Sequence, residues 1–132
     1  MAIVLASAVA IMPVGFDAPE LPAELVRDLI EQRARIGADI VRLTSLAGCG
    51  HPGGSLSTLD ALVVLYGCAN LDPEAPHAPD RDRVIVSHGH VSPAVYGTLA
   101  EFGYFDIKDA YRGFRVAGSV FGGHVESVVP GV

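Results

Sequence analysis

Three of the five histidines in this sequence follow a glycine directly: His51, His90 and His124. An imidazole can donate or accept a proton near neutral pH, and a neighbouring glycine lets the backbone come close to a ligand. Each glycine–histidine pair alone is only a weak indication of a functional site, because a loop histidine is more often solvated or bonded to a carbonyl oxygen. We therefore take these three as the candidate residues for chemistry. His77 lies in a stretch of alanines and prolines and is not one of them.

The elements that would position these histidines begin with two helices. Apolar residues at helical spacing predict a long amphipathic helix over residues 24–47, ended by Gly48. A second helix follows the "GHPGG" stretch, and Ser57 with Asp60 three residues later has the spacing of a capping box. The short β-branched run "VIVS" at 84–87 is typical of a buried parallel strand.

A third helix is predicted directly after that strand, because Ser92 and Pro93 favour a helix start and Gly103 favours an end. A shorter fourth helix is predicted over residues 106–114. Together these elements predict an α/β domain with a parallel sheet flanked by helices. Ligands of such domains bind at the carboxyl ends of strands, and the "SHGH" turn at 87–90 lies at one such end.

The chemistry of this turn favours an anion. A strand end, a glycine turn and a helix N-terminus together present free N–H groups and a favourable helix dipole, as the stretch at 50–57 also does. The common glycine-rich nucleotide motif GXXXXGK[ST] is absent. A zinc site is the alternative, with His88 and His90 joined by His51 or His124, although no EXXH or HXXXH pair on a helix face supports it.

Composition narrows the class of protein. The chain has 132 residues, enough for one domain, and half of them are hydrophobic. A net charge of −6 with scattered basic residues argues against a general nucleic-acid binder. Cys49 and Cys68 form neither a disulfide framework nor a metal-binding spacing, so we expect the reducing cytoplasm.

The apolar start of the chain has no lysine or arginine before its hydrophobic run, unlike a secretory signal, and is too short to span a bilayer. We interpret residues 1–23 as an apolar extension and linker that packs on another surface, with a signal peptide as the alternative. No membrane partner is expected.

Three stretches then carry a resemblance to a known family. They are "GHPGGSLSTLDALVVLY", "LDPEAPHAPDRDRVIVSHGHVSPAVYGTLAEFGYF" and "GSVFGGHVESVVPGV". In this order they resemble the N-terminal, thiamine-diphosphate-binding part of transketolases, most of all the short form whose N-terminal half is a separate chain. The 1-deoxyxylulose-5-phosphate synthases look different in these loops. The resemblance implies that residues 24–132 are an incomplete transketolase N-terminal domain.

The resemblance also implies an activity and roles for the histidines. It implies transfer of a two-carbon ketol unit between sugar phosphates with thiamine diphosphate and Mg²⁺. His51 would contact the substrate and help its proton transfers, and His90 would contact the cofactor's diphosphate. His124 would lie near a hydroxyl of the donor substrate.

The sequence departs from the family in several places. The family usually has lysine where His88 stands and proline where Val125 stands. In the family, magnesium is ligated by a later Gly-Asp-Gly segment that this sequence does not contain. We therefore expect the ligands of the magnesium ion outside this chain. We therefore expect a transferase subunit that is inactive alone and is completed by a complementary chain or by homo-oligomerisation. The alternatives are a catalytically inactive fragment, an interaction subunit or a metal-binding module.

Overall fold

The computed structural model describes residues 15–17 and 19–132, so most of the predicted apolar extension lies outside the described residues. The described part holds four helices and no strand: α1 (Ala23–Ala47), α2 (Pro52–Cys68), α3 (Ser92–Glu101) and α4 (Ile107–Gly113). Within these ranges, none of the helices has both the length and the hydropathy required to cross a bilayer.

Helix α1 confirms the prediction for residues 24–47. Its buried side chains recur at helical spacing and are Leu25, Leu29, Ile36, Ile40 and Leu43. The helix ends where Gly48 takes the left-handed conformation, with φ of 62°. The N–H of Gly48 donates to the carbonyl oxygen of Ser45 at 3.2 Å, which satisfies one of the last carbonyls of the helix.

Helix α2 begins well before the position that the capping-box pattern indicates. Pro52 occupies the first turn, where a missing N–H costs nothing and a fixed φ suits the helix. The predicted capping box is wrong: the Ser57 hydroxyl donates to the Gly54 carbonyl at 2.9 Å inside the helix. Asp60 instead forms an ion pair with Arg33 of α1.

Helix α3 lies at the centre of the fold and packs on α1, α2 and α4. Its residues from Ser92 to Leu99 are all buried. The approach to α1 is close, because a Cβ atom added at Gly97 would lie 2.9 Å from Cγ2 of Ile36. The predicted start of this helix at Ser92 is confirmed, and the chain turns at Gly103 with φ of 93°.

Helix α4 confirms the fourth predicted helix and is tied to α1 by polar contacts. Asp106 caps it, since its carboxylate accepts from the N–H of Lys108 at 2.9 Å. The Tyr111 hydroxyl donates to Asp39 of α1, and the guanidinium of Arg42 lies 4.8 Å from the centre of the Tyr111 ring.

The prediction of a buried strand at residues 84–87 is wrong. This segment has neither helix nor strand structure, and the Ile85 side chain is 86% exposed. Val84 and Val86 pack partly against the core, so the alternation typical of a strand is present. No described residue forms a backbone hydrogen bond with the segment, and a strand requires such a partner. The parallel sheet is therefore not seen among the described residues.

Candidate functional site

The three histidines that follow glycines lie in one row. The ring centres of His51 and His90 are 4.4 Å apart, and those of His90 and His124 are 5.0 Å apart, both in edge-to-face arrangements. His51 immediately precedes α2, and His90 lies two residues before α3. All three residues are exposed. The row is therefore open to a ligand on the surface where two helices begin.

A cleft of about 380 Å³ opens beside this row, within the size range of small-molecule sites. Its walls are formed by residues 86–92 together with His124 and Val125. None of these lining residues is acidic, so no carboxylate of the lining would repel an anion. His51 does not line the cleft but reaches its edge through the contact with His90.

The N-terminus of α3 supplies hydrogen-bond donors to the cleft. The amides of Gly89, His90, Val91 and Ser92 find no acceptor in the part of the chain that the structure describes. The first turn of α3 carries no acidic residue, so the positive end of the helix dipole is not neutralised there. Free amides, a helix N-terminus and imidazoles together suit a phosphate or another anion.

The backbone at His90 is strained. His90 has φ of 65°, a backbone conformation that residues other than glycine rarely adopt. The neighbouring Gly89 permits the close approach of His124, because a Cβ there would lie 3.2 Å from Cε1 of the His124 ring. Such strain is found where the surrounding structure fixes a residue for binding or catalysis. Nothing in the residue types around His90 indicates this φ.

Two hydroxyl groups of α3 hold the loop that carries His124. The Tyr96 hydroxyl donates to the carbonyl oxygen of Gly122 at 3.0 Å and lies 3.4 Å from that of His124. The Ser92 hydroxyl donates to the carbonyl oxygen of Gly123 at 2.9 Å. Burial, and to a smaller extent Glu126, raises the pKa of Tyr96 to about 12, so the phenol remains a donor at neutral pH.

Sequence reasoning did not identify Tyr96 as part of the site and assigned Ser92 only a role in starting the helix. Their spacing of four residues was the available signal, since it puts both on one face of a helix. The spacing does not indicate that the face would meet the loop at 122–124, because that contact is tertiary.

Arg115 lies on the other side of this loop. A Cβ atom added at Gly123 would lie 3.1 Å from Nη2 of Arg115, so the guanidinium rests against the glycine backbone. Arg115 also has φ of 58°, and its N–H donates to the carbonyl oxygen of Phe121 at 2.8 Å. The loop before His124 is therefore enclosed between α3 and the Arg115 side chain.

The other two histidines lie apart from the row. Nε2 of His88 is 3.0 Å from the Thr58 hydroxyl, although His88 also lines the cleft. His77 lies exposed in a turn of the loop between α2 and α3. Over residues 15–17 and 19–132, no three histidine, cysteine, aspartate or glutamate side chains are grouped to hold a metal ion. The zinc alternative thus finds no ligand set in that part of the chain.

A family model described as the thiamine diphosphate binding domain of transketolase matches residues 27–132. The chain belongs to the transketolase family. A similar curated relative is the 6-deoxy-6-sulfo-D-fructose transketolase subunit SqwG of Clostridium sp. (strain MSTE9), 43% identical over 77 residues. That match covers 54% of this chain and 28% of the relative.

A second relative is an apulose-4-phosphate transketolase subunit of Phocaeicola vulgatus, 35% identical over 96 residues. The match covers 70% of this chain and 33% of that relative. The solved structure of the transketolase from Leishmania mexicana matches with a TM-score of 0.72 and 30% identity, covering 79% of this chain and 16% of that one. The described helices thus have the fold of part of a transketolase, and the chain spans a third or less of each of these relatives.

Proposed function

We propose that this chain is the diphosphate-binding part of a transketolase-like transferase, which moves a two-carbon ketol unit between sugar phosphates. The observation that carries the proposal is the row of His51, His90 and His124 beside one cleft of a transketolase-family domain. When bound, thiamine diphosphate supplies the electron sink for making and breaking the carbon–carbon bond. The protein's own residues bind, orient and exchange protons.

The role of His90 in this proposal is to hold the diphosphate. Its exposed imidazole lies at the N-terminus of α3, next to backbone N–H groups that have no hydrogen-bond acceptor among the described residues. The absence of acidic residues from the cleft lining suits a group with several negative charges. The donors present therefore fit the diphosphate, which would accept from the imidazole and the amides together.

The His51 and His124 rings both contact His90, and we propose that these two residues bind the sugar. A group bound at His90 would lie near two further imidazoles, because the centres of the His51 and His124 rings are 4.4 and 5.0 Å from that of His90. His51 would move protons at the oxygens of the reacting sugar. His124 would donate to a hydroxyl of the donor substrate.

The same proposal assigns the rest of the active site to other polypeptide, either a complementary chain or further copies in a homo-oligomer. We place the magnesium ligands there. The Clostridium and Phocaeicola relatives are both named as subunits. Large apolar side chains also lie exposed along one groove between α1 and α2, including Val26, Ile30 and Val64, and contiguous apolar surface commonly marks an interface. The alternative function, an inactive fragment or interaction subunit, draws support from the same exposed residues.

Calorimetry of the isolated chain tests the division of the site. With thiamine diphosphate and Mg²⁺ we expect weak binding or none, because magnesium prefers a set of oxygen ligands that the proposal locates elsewhere. Addition of a chain that supplies the remaining transketolase segments should produce tight binding and ketol transfer. Sub-micromolar binding by the isolated chain would contradict the division. A stable assembly without transferase activity would favour the alternative function.

Histidine variants of the assembled enzyme test the roles. We expect His90→Ala to weaken cofactor affinity about ten- to a hundred-fold, since a hydrogen bond to a charged group contributes about 1.5–3 kcal/mol, and excess cofactor should restore the rate. We expect His51→Ala to lower turnover about 10²- to 10⁴-fold even with cofactor in excess. His77→Ala, an exposed histidine outside the cleft, is the matched control. Equal, cofactor-reversible defects in the first two variants would show that both histidines only bind phosphate.

A further inference from the structure

Hydrogen bonds from α3 to the backbone of residues 122–124 hold this loop against the helix. Three successive carbonyl oxygens, those of Gly122, Gly123 and His124, face two hydroxyl groups four residues apart on one face of the helix. The two glycines have no side chains with which to fix the loop. The position of the His124 ring therefore depends on contacts that the backbone of the loop makes.

We propose that Tyr96 and Ser92 are positioning residues that hold this loop so that the His124 ring lies against His90. The effect of these two residues on catalysis rests on the proposed function, in which His124 binds the donor sugar. Neither hydroxyl touches the cofactor or the sugar in this scheme. They act through the backbone of residues 122–124 and set the 5.0 Å separation of the two rings.

Burial makes these hydrogen bonds effective. Tyr96 is fully buried and Ser92 is 2% exposed, so water competes little for the two hydroxyl groups that donate to the loop. The guanidinium of Arg115 also lies against Gly123. The central ring, His90, is held without the loop, because His90 lies two residues before α3 and contacts the His51 ring.

Helix α3 also offers a matched control. Thr98 is fully buried, but its hydroxyl has no hydrogen-bond partner among the described residues. Thr98→Val thus removes a buried hydroxyl from α3 at nearly constant volume without touching the loop. Tyr96→Phe and Ser92→Ala each remove one oxygen from the face that holds the loop.

Proton NMR of the histidine rings in the full chain tests the proposal without cofactor or activity. The unchanged protein should show ring-to-ring cross-peaks for His51–His90 and for His90–His124. In the Tyr96→Phe, Ser92→Ala double variant we expect loss of the His90–His124 cross-peak while the His51–His90 cross-peak remains. Thr98→Val should keep both. A double variant that keeps the His90–His124 cross-peak at full intensity would overturn the proposal.

The Ser92→Ala single variant keeps the test decisive if the double variant loses its helical circular dichroism. With the helices intact, this variant should weaken the His90–His124 cross-peak, and an unchanged intensity would overturn the proposal. In an active assembled enzyme, Tyr96→Phe should raise KM for the ketose donor about ten- to a hundred-fold with little change in kcat or cofactor affinity. If the proposed transferase activity is absent, the NMR result still decides whether these residues position His124.

Discussion

Helix α1 and the segment at 84–87 are both rich in isoleucine and valine, yet their isoleucine side chains differ in burial. In α1, Ile36 and Ile40 are completely buried, whereas Ile85 is 86% exposed. A helix satisfies its backbone hydrogen bonds within itself, so its apolar stripe needs only a neighbouring surface. An extended segment also needs another strand to accept and donate hydrogen bonds. The described chain supplies the surface for α1 but no partner strand for residues 84–87.

Matched isoleucine substitutions test this difference in burial most directly. Ile40→Ala should lower the free energy of unfolding of the chain by about 2–5 kcal/mol, because it leaves a cavity in the core. Ile85→Ala should change it by less than about 0.5 kcal/mol. Ile30→Ala, at a position in α1 that is 61% exposed, is the control for helix position. Urea unfolding measures all three, and similar losses at Ile40 and Ile85 would show that residues 84–87 are covered in solution.

Unlike residues 84–87, the loop at 122–124 has a partner in the buried Tyr96, and alkaline pH tests that burial. Burial raises the pKa of Tyr66 and Tyr96 from 10.0 to about 12, and Tyr96 holds the loop at 122–124. The folded chain thus keeps these phenols neutral at pH values where the unfolded chain ionises them. Their contribution to stability is complete below pH 10 and is lost as the pH rises toward 12.

Urea unfolding at about pH 9 and about pH 11 measures this loss. We expect the free energy of unfolding to fall by about 1 kcal/mol for each of these two tyrosines. Tyr96→Phe should show a smaller fall than the unchanged chain, because it has one fewer buried phenol to ionise. An equal fall in both proteins would show that the Tyr96 hydroxyl ionises as freely in the folded chain as in the unfolded one.

The smallest effect concerns the turn that follows residues 84–87. His90→Gly should be more stable to urea than His90→Ala by about 1 kcal/mol, because glycine adopts φ of 65° without strain and alanine does not. The two variants lack the imidazole equally, so the difference isolates the backbone. A more stable alanine variant would show that the left-handed conformation at this position does not persist in solution.

Local signals along the chain were sufficient to predict the helices. Gly48 ends α1 and Asp106 caps α4, as glycine and aspartate do in most proteins. The pattern at Ser57 and Asp60 was misleading, because Asp60 has a tertiary partner in Arg33 and Pro52 starts the helix earlier. The strand at 84–87 could not form from its own residues, whatever their β propensity, since pairing is not a local property.

The sequence indicates which residues are candidates for the site but not how they are arranged. The glycine–histidine pairs indicate three candidate positions, and only the family resemblance relates them to one another. That His90 contacts both His51 and His124, and that it does so with positive φ, follows from the packing of α3 between the other helices. No spacing along the chain encodes those contacts.

The dependence of the 122–124 loop on α3 sets an order of assembly. Ser92 and Tyr96 share one face only when residues 92–101 are helical, so α3 must form before the loop can dock. The loop at 122–124 can dock only on a helix that already presents Ser92 and Tyr96 on one face. The contact between the His90 and His124 rings is therefore made only after α3 has formed.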